Sequence, residues 1–222
     1  MCGRYTLSSP ADLVADLFDL DEEIQLSPRF NIAPTQEAAV VRASGETGKR
    51  RLDHLRWGLV PAWAKDPATG NRMINARAEG VAEKPSFRSS FKRQRCLVVA
   101  DGFYEWQRRP GGKRPYYFHL KDRQPFGFAG LWERWTKDER DPLETFTIIT
   151  TEPNDLVASV HQRMPVILRP EDYRQWLDPI FSERKTLQSL LRSYPSVEME
   201  AFAVNTWVNS PAHDDPSCVT PA

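Results

Sequence analysis

The sequence predicts an α+β fold built on a mostly antiparallel, barrel-like β-sheet with short flanking helices. Short apolar runs typical of strands outnumber the amphipathic stretches typical of helices, and they cluster in the middle of the 222-residue chain. A Pro110-Gly111-Gly112 turn between two such runs is the pattern of a β-hairpin. The length suits one domain, residues 1–222, with an irregular tail at about 210–222.

The first predicted elements are a short strand over residues 1–8 and a helix that follows it. Ser9 is a suitable N-cap for that helix, and Pro10 suits its first position. The helix carries apolar residues at helical spacing: Leu13, Leu17 and Leu20.

The remaining elements are assigned in chain order from periodicity and turn residues. Strands are predicted at 38–41, 51–60, 96–106, 116–120, 126–135, 145–151, 164–168 and 197–204. Helices are predicted at 86–95, 153–160, 170–177 and 182–191. Residues 66–72, which contain Pro67 and Gly70, are expected to form a loop.

The charge balance is a cancellation between two halves of the chain. The 30 basic and 30 acidic side chains give a formal net charge of zero. Residues 1–130 nevertheless carry a net charge of +6, and residues 131–222 carry −6. The window 84–114 holds nine basic and two acidic residues. A globally basic nucleic-acid binder is excluded, but a local cationic groove around Cys2 is predicted, with the acidic residues of 171–200 facing away from it.

Composition also limits the class of protein and its compartment. The hydrophobic content of 40% supports a packed core, and no apolar run is long enough for a membrane span or a signal peptide. We therefore expect a cytoplasmic protein with no membrane contact, and we also expect a monomer. The three cysteines and four histidines are dispersed, so neither a disulfide framework nor a metal site is expected, and no cofactor is predicted.

Cys2 is the first candidate for chemistry because of its position in the chain. Removal of the initiator Met before a small residue would place an α-amine and a thiol on one residue. Such a 1,2-aminothiol captures an aldehyde as a Schiff base, and the adjacent thiol then closes a thiazolidine ring with a high effective molarity. Cys2 could equally be an N-terminal nucleophile of a hydrolase, or a small buried residue at the chain start.

Four further segments carry polar or aromatic groups suited to chemistry or binding. Asn75 and Arg77 would share one face of a strand, and Glu105 lies between two aromatic residues that would raise its pKa. His161 is a candidate proton shuttle, beside Arg163. Trp63 follows a bend at Pro61, where an exposed ring could stack on an unpaired base. A hydrogen-bonded network, a solvent-facing strand and a structural histidine explain these residues equally well one at a time.

Seven segments taken together resemble one family. In order they are MCGRY, RFNIAPTQ, WGLVPAW, NARAE, RCLVVADGFYEW, FAGLWE and HQRMP. They resemble the SRAP domain, the SOS-response-associated peptidase family of abasic-site processing proteins, over about residues 2–210. Val99 departs from the family pattern, in which many members carry Pro, and this change affects backbone shape rather than chemistry.

The resemblance implies a covalent DNA-damage sensor. Cys2 would form a thiazolidine crosslink with the ring-opened sugar of an abasic site in single-stranded DNA and so shield the lesion. Asn75 would hold the adduct, and Glu105 and His161 would act as acids and bases in crosslinking and lyase-type reversal. DNA contacts are assigned by the same resemblance to Arg4, Pro61, Trp63, Arg77 and Arg163.

Two other functions remain open from the sequence. A cysteine peptidase or amidase could use Cys2, His161 and Glu105, and the family name itself carries that proposal. A non-catalytic single-strand binding module would use only the arginines and Trp63, and it could also underlie the covalent chemistry.

Overall fold

The computed structural model describes residues 2–44, 47–137 and 142–222. Thirteen strands lie within these residues: β1 Tyr5–Leu7, β2 Arg29–Ile32, β3 Glu37–Ala43, β4 Arg50–Trp57, β5 Asn75–Arg77, β6 Arg95–Ala100, β7 Gly102–Arg109, β8 Gly112–Leu120, β9 Phe126–Trp135, β10 Leu143–Thr151, β11 Met164–Pro165, β12 Ile167–Leu168 and β13 Met199–Ala203.

The helices of the described residues are short. The α-helices are α1 Ala11–Phe18, α2 Arg88–Arg93, α3 Asp155–Ala158, α4 Tyr173–Leu177 and α5 Arg184–Ser189. Single 3-10 turns lie at Pro67–Arg72, Pro170–Asp172, Ser196–Glu198, Thr206–Asn209 and Pro216–Val219. No described helix has the length and apolarity needed to cross a membrane.

Five strands close into a barrel, in the order β10-β4-β3-β6-β9. The ring closes because β9 pairs antiparallel with β10, which also pairs parallel with β4. Closure removes the free edges of the sheet. The barrel core is aromatic, and Tyr5 of β1 packs edge-on against Trp57 with ring centroids 5.2 Å apart.

A second, antiparallel sheet has the order β13-β8-β7-β1-β2. The predicted strand 96–106 is therefore two strands, β6 in the barrel and β7 in the second sheet, separated by Asp101. The Asp101 carboxylate accepts hydrogen bonds from Thr6 Oγ1 and from the backbone and hydroxyl groups of Ser8 and Ser9. The chain breaks here because this acceptor fixes the corner between the sheets. The α+β, barrel-like prediction is confirmed.

Helix α1 differs in detail from the prediction. Ser9 is not a cap, because its hydroxyl donates to Asp101, and Pro10 occupies the N-cap position without a side-chain bond. The residues that α1 buries fully are Val14 and Phe18. The predicted leucine stripe is at most partly buried, because the helix rests on the barrel through the adjacent face.

The predicted helix 86–95 is limited to α2, because Arg95 starts β6 and enters the core. Arg95 is buried, and its guanidinium donates to backbone carbonyls at the ends of α2 and α4, among them Phe91 O at 2.8 Å and Trp176 O. One of the nine basic residues of the 84–114 window is therefore structural and unavailable to a ligand.

The remaining strand predictions are confirmed with shifted ends. The β7–β8 hairpin turns at residues 110–111 as expected, whereas the strand predicted at 51–60 ends at Trp57, because Gly58 adopts a positive φ of 128°. Residues 164–168 divide into β11 and β12, which pair with β10 and β9. The sequence assignment left out β2.

The segment predicted to be an irregular tail is held against the second sheet. It contains a 3-10 helix, Pro216–Val219, which buries Cys218. Asn31 of β2 donates through Nδ2 to the carbonyls of Ser210 and His213, and Asp214 accepts from the backbone of β2. These bonds give the tail a fixed path without regular secondary structure along most of its length.

Two glycines, Gly58 and Gly70, allow two backbone segments of the loop between β4 and β5 to lie in close contact. A Cβ on Gly70 would lie 2.3 Å from Gly58 O and 2.9 Å from Val60 Cγ2. A Cβ on Gly58 would lie 2.7 Å from Gly70 O. This loop carries Trp63, so the close backbone contact fixes where that side chain stands.

We expect Gly70→Ala to destabilise the protein by roughly 1–3 kcal/mol, because the added methyl group overpacks against backbone that cannot yield. Urea unfolding measures the loss. Gly80→Ala is the matched control, since a Cβ there meets only the flexible Lys84 side chain. Equal stability of the two variants would contradict the role of the Gly58–Gly70 contact.

Candidate active site

Cys2 lies inside the protein, next to the start of β1. It is fully buried, and its Sγ is 3.9 Å from Arg4 O. Burial, reinforced by the negative charge of Glu105, raises the pKa of the Cys2 thiol far above its ordinary value. The resting thiol is therefore protonated, and a base must remove its proton before sulfur attacks a substrate.

Asn75, at the start of β5, fixes the main chain of residue 2. Its Nδ2 donates to Cys2 O at 2.8 Å. Strand β5 reaches this position because it pairs parallel with β10, with Ile148 opposite Asn75. The Asn75 Oδ1 is buried and has no hydrogen-bond partner among the described residues, so it is an unused acceptor next to residue 2.

Glu105 comes from β7 and is buried, with an exposed fraction of 3%. Desolvation raises its pKa from 4.5 to about 7. The register of β7 against β1, in which Tyr5 pairs with Phe103, brings Glu105 to the end of β1 where Cys2 lies. A carboxyl group that titrates near neutral pH can both donate and accept a proton there.

His161 faces Glu105 from the turn after α3. Its Nδ1 is 3.8 Å from Glu105 Oε1, and the side chain is 29% exposed. The same Nδ1 is 3.1 Å from the Arg163 backbone nitrogen and 3.0 Å from the Arg163 carbonyl oxygen. A neutral Nδ1 accepts from that N–H and a protonated one donates to that carbonyl, so the turn can support both states. Desolvation lowers the pKa of His161.

Arg163 forms a bidentate ion pair with Glu79. Its Nη1 and Nη2 are 2.6 Å and 3.0 Å from the two carboxylate oxygens, and Nη2 also donates to Thr150 O at 2.6 Å. The pair lowers the pKa of Glu79 through the hydrogen bond from Arg163. The guanidinium of Arg163, which the resemblance assigns as a DNA contact, is thus bound to a carboxylate.

A cleft of about 560 Å³ opens beside His161. It is lined by β5, by β7 and by the turn after α3, through Arg77, Trp106, Gln107, Arg108, Ser159, Val160, His161, Gln162 and Arg163. Three of these side chains are arginines and none is acidic. The acidic residues of 171–200 do not line it. The cleft is cationic, and its exposed cations without an ion pair among the described residues are Arg77 and Arg108. Cys2 is buried and does not line this cleft, so a groove that surrounds Cys2 stays a prediction.

Arg4 is tied to the tail of the chain. Its Nη1 donates to Asn31 Oδ1 at 2.9 Å and to Val208 O at 2.8 Å. Its guanidinium carbon lies 5.9 Å from the centre of the Trp106 ring. These contacts make Arg4 a brace between the chain start and residues 208–209, and they occupy most of its donors.

Trp63 and Pro61, predicted together as DNA contacts, differ in exposure. Trp63 is 63% exposed, whereas Pro61 is buried. Ala64 N donates to Pro61 O, and Trp135 Nε1 donates to Ala64 O at 2.7 Å, so a tight turn presents the Trp63 ring outward. The contact assigned to Pro61 needs correction, because its ring is covered and it serves the turn.

The structure therefore gathers Cys2, Asn75, Glu105 and His161 into one site, with Arg77 and Arg163 at its edge. It places Trp63 on a separate loop. Three residues outside the sequence assignment also belong to the site: Glu79, Trp106 and Gln107. The positions of Glu79 and Trp106 within NARAE and FYEW were a usable signal, whereas Gln107 had none. No group of three or more potential metal ligands lies together in residues 2–44, 47–137 and 142–222.

Comparison with known proteins gives consistent matches over the full length. The sequence model of the family described as SOS response associated peptidase (SRAP) matches residues 1–211. The chain is 46% identical over 223 residues to the abasic site processing protein YoqW of Bacillus subtilis (strain 168), covering 99% of each chain. It is 34% identical to the abasic site processing protein HMCES of Gallus gallus, covering 87% of this chain and 66% of that protein.

Solved structures of other proteins share this fold. A crystal structure of a protein from Bacteroides thetaiotaomicron superposes with a TM-score of 0.88 at 30% identity, covering 100% of both chains. A phage-related protein from Bordetella bronchiseptica gives 0.73 at 29% identity, covering 92% of this chain and 94% of that one. The family match and the fold agree, and the chain belongs to the SOS response associated peptidase (SRAP) family.

Proposed function

We propose that this protein processes abasic sites by forming a covalent thiazolidine link between Cys2 and the ring-opened sugar of the lesion in single-stranded DNA. The names of its relatives support action on abasic sites. The observation that carries the chemical proposal is the buried Glu105, with a pKa near 7, beside residue 2 and 3.8 Å from His161. The proposed reaction needs no cofactor. The cytoplasmic location and the monomeric state of the protein remain predictions from the sequence.

The reaction starts when loss of residue 1 frees the α-amine of Cys2. The amine lone pair attacks the C1′ aldehyde carbon and forms a carbinolamine. Protonation of its hydroxyl group releases water and leaves an iminium ion. Thiol sulfur then adds to the iminium carbon and its proton leaves to a base, which closes the five-membered ring. The net change is one bond from carbon to nitrogen, one from carbon to sulfur and one water lost.

The site residues match the proton transfers of this sequence. Glu105, protonated below about pH 7, donates to the departing hydroxyl group and then accepts the thiol proton. His161, next to Glu105, exchanges that proton with solvent through the cleft. Asn75 holds the residue 2 carbonyl, and its free Oδ1 is placed to accept a hydrogen bond from the adduct nitrogen. Reversal follows the same steps backward.

The DNA strand is proposed to enter through the cleft. Arg77 and Arg108 supply the positive charge for phosphates, since Arg4 and Arg163 are already hydrogen-bonded within the protein. The exposed ring of Trp63 is available to stack on an unpaired base, an interaction worth roughly 1–3 kcal/mol. Such non-covalent binding precedes the crosslink and does not replace it.

The thiol peptidase is the weaker candidate. A thiol peptidase attacks with a thiolate, and a nearby positive charge usually lowers the pKa of such a nucleophile. Burial raises the pKa of Cys2 instead. The aldehyde route tolerates a neutral thiol, because the amine attacks first and the sulfur reacts only within an assembled intermediate.

Cys2→Ala should abolish the gel-stable adduct with abasic single-stranded DNA, because only the thiol can add to the iminium carbon and close the stable ring. Cys2→Ala and Cys2→Ser both keep the α-amine once residue 1 is removed, so each should retain only a transient Schiff base that borohydride traps. Denaturing gels measure both. Cys218→Ala is the control, since that buried cysteine lies in the tail cluster. Normal adduct formation by a chain that retains a residue ahead of Cys2 would contradict the aminothiol route.

The crosslinking rate at saturating DNA should fall as pH rises above about 7, because the acid form of Glu105 is lost. Glu105→Gln should lower the rate by about 10²- to 10⁴-fold and remove that limb of the pH profile. Quench-flow gels over pH 5–9 measure it. An unchanged limb in Glu105→Gln would assign the titration to another group.

Folding stability gives the matching control without DNA. The pKa of the Glu105 carboxyl is about 7 in the folded protein, against an ordinary value of 4.5. Its contribution to the free energy of unfolding is therefore fully present below pH 4.5 and is lost as the pH rises through about 7. Above pH 7, Glu105→Gln should therefore be more stable than the parent protein, by up to about 3 kcal/mol.

Arg77→Gln and Arg108→Gln should each reduce the salt dependence of binding to intact single-stranded DNA. Each lost phosphate contact lowers the magnitude of the slope of log affinity against log salt by about 0.7. Fluorescence anisotropy at several salt concentrations gives the slopes. Arg88→Gln, an exposed cation of α2 outside the cleft, should leave the slope unchanged. If all three variants have the same slope as the parent protein, the cleft is not the path of the DNA.

A further inference from the structure

The turn that carries His161 lies between a four-residue helix and a two-residue strand, and side-chain contacts add to its backbone bonds, such as His161 N to Val157 O at 2.8 Å. Gln107 Nε2 donates to Ser159 O at 2.8 Å and connects the turn to β7. Arg163 connects the other end to β10 and to Glu79. These two attachments therefore act together with the backbone contacts of the turn to hold His161 3.8 Å from Glu105.

Glu79 supplies the stronger attachment. Both of its oxygens contact the Arg163 guanidinium, at 2.6 Å and 3.0 Å. The Arg163 side chain is 14% exposed, and Glu79 is 54% exposed. A bidentate pair between a mostly buried guanidinium and a carboxylate fixes both distance and plane, which a single exposed ion pair does not.

The constraint passes from Arg163 to His161 through the backbone. The Arg163 N–H and C=O both face Nδ1 of His161, at 3.1 Å and 3.0 Å. Where the Arg163 backbone stands therefore sets the orientation of the imidazole ring. Thr150 O adds a second anchor at 2.6 Å from Nη2, so the guanidinium joins Glu79, strand β10 and the His161 turn.

We propose that Glu79 is a positioning residue, which acts through Arg163 to hold the His161 ring within reach of Glu105. The catalytic consequence rests on the proposed function, whereas the structural consequence for His161 does not.

Loss of the Glu79 charge leaves the partly buried Arg163 guanidinium without its carboxylate, and its Nε already has no hydrogen-bond partner among the described residues. Such a cation gains solvation by turning outward, and the His161 turn is then released with it. The charged groups that act on His161 are Glu105 and Arg108 from β7, Arg163 from its own turn, and the α-amino group at the start of the chain. Arg77, across the cleft, acts on Glu79.

Glu79→Gln keeps the shape of the side chain and removes its charge. Glu83→Gln is the matched control, because Glu83 lies four residues later, forms a 2.6 Å pair with Arg184, and is remote from the cleft lining. The first measurement is a pH titration of the four histidines by NMR in the free protein. We expect the lowered pKa of His161 to rise toward its ordinary value in Glu79→Gln only, because the ring becomes more solvated.

The second measurement separates rate from affinity. We expect the crosslinking rate at saturating abasic DNA to fall about 10- to 100-fold in Glu79→Gln, with little change in affinity for intact single-stranded DNA. Glu79→Asp, which keeps the charge on a shorter arm, should recover part of the rate. Glu83→Gln should match the parent protein in both.

Two results would overturn the proposal. An unchanged His161 titration in Glu79→Gln would show that the pair does not hold the ring, whether or not a crosslink forms. Tighter binding to intact DNA with a steeper salt slope and an unchanged saturating rate would show that Glu79 competes with phosphate for Arg163. Absence of an adduct in the parent protein would count against the proposed function, and the NMR titration would still decide the role of Glu79.

Discussion

The site depends on the pairing of β1 with β7. Tyr5 lies opposite Phe103, Thr6 lies opposite Gly102, and Tyr104 N donates to Arg4 O at 3.0 Å. This register carries the beginning of the chain into the interior, where Cys2 meets Glu105. Tyr5 packs into the barrel against Trp57 and Phe128, so the first strand is held by the core as well as by backbone hydrogen bonds. A residue near a chain end is ordinarily mobile, and here packing fixes it for chemistry.

Burial then determines the chemistry. The same desolvation that keeps the Cys2 thiol neutral raises the pKa of Glu105 to about 7. A neutral thiol next to a carboxyl that titrates near neutral pH is poorly suited to thiolate attack, but it suits a sequence in which an amine attacks first. The Arg163–Glu79 pair extends this arrangement, because it fixes the turn that brings His161 to the same carboxyl. The cleft cations remain outside, where a charged polymer can reach them.

Much of this could be predicted from local sequence. The β7–β8 hairpin follows from the Pro-Gly-Gly turn, and the barrel strands follow from their apolar runs. Cys2, Asn75, Glu105 and His161 were all recognisable by residue type and motif. Long-range contacts were not. Arg95 reads as a surface cation, yet in the core it donates to backbone carbonyls at the ends of two helices, α2 and α4, and to Phe181 O in a loop. Arg163 reads as a phosphate ligand, but its carboxylate partner lies 84 residues away in the chain.

The most direct test of this account is the intact mass of the protein after incubation with single-stranded DNA that contains one abasic site, followed by mapping of the modified peptide. The account predicts a species equal to the chain without Met1 plus the DNA strand minus one water, with the modification on Cys2. A stable adduct on a lysine, or on a chain that retains Met1, would contradict the role of the Cys2 aminothiol.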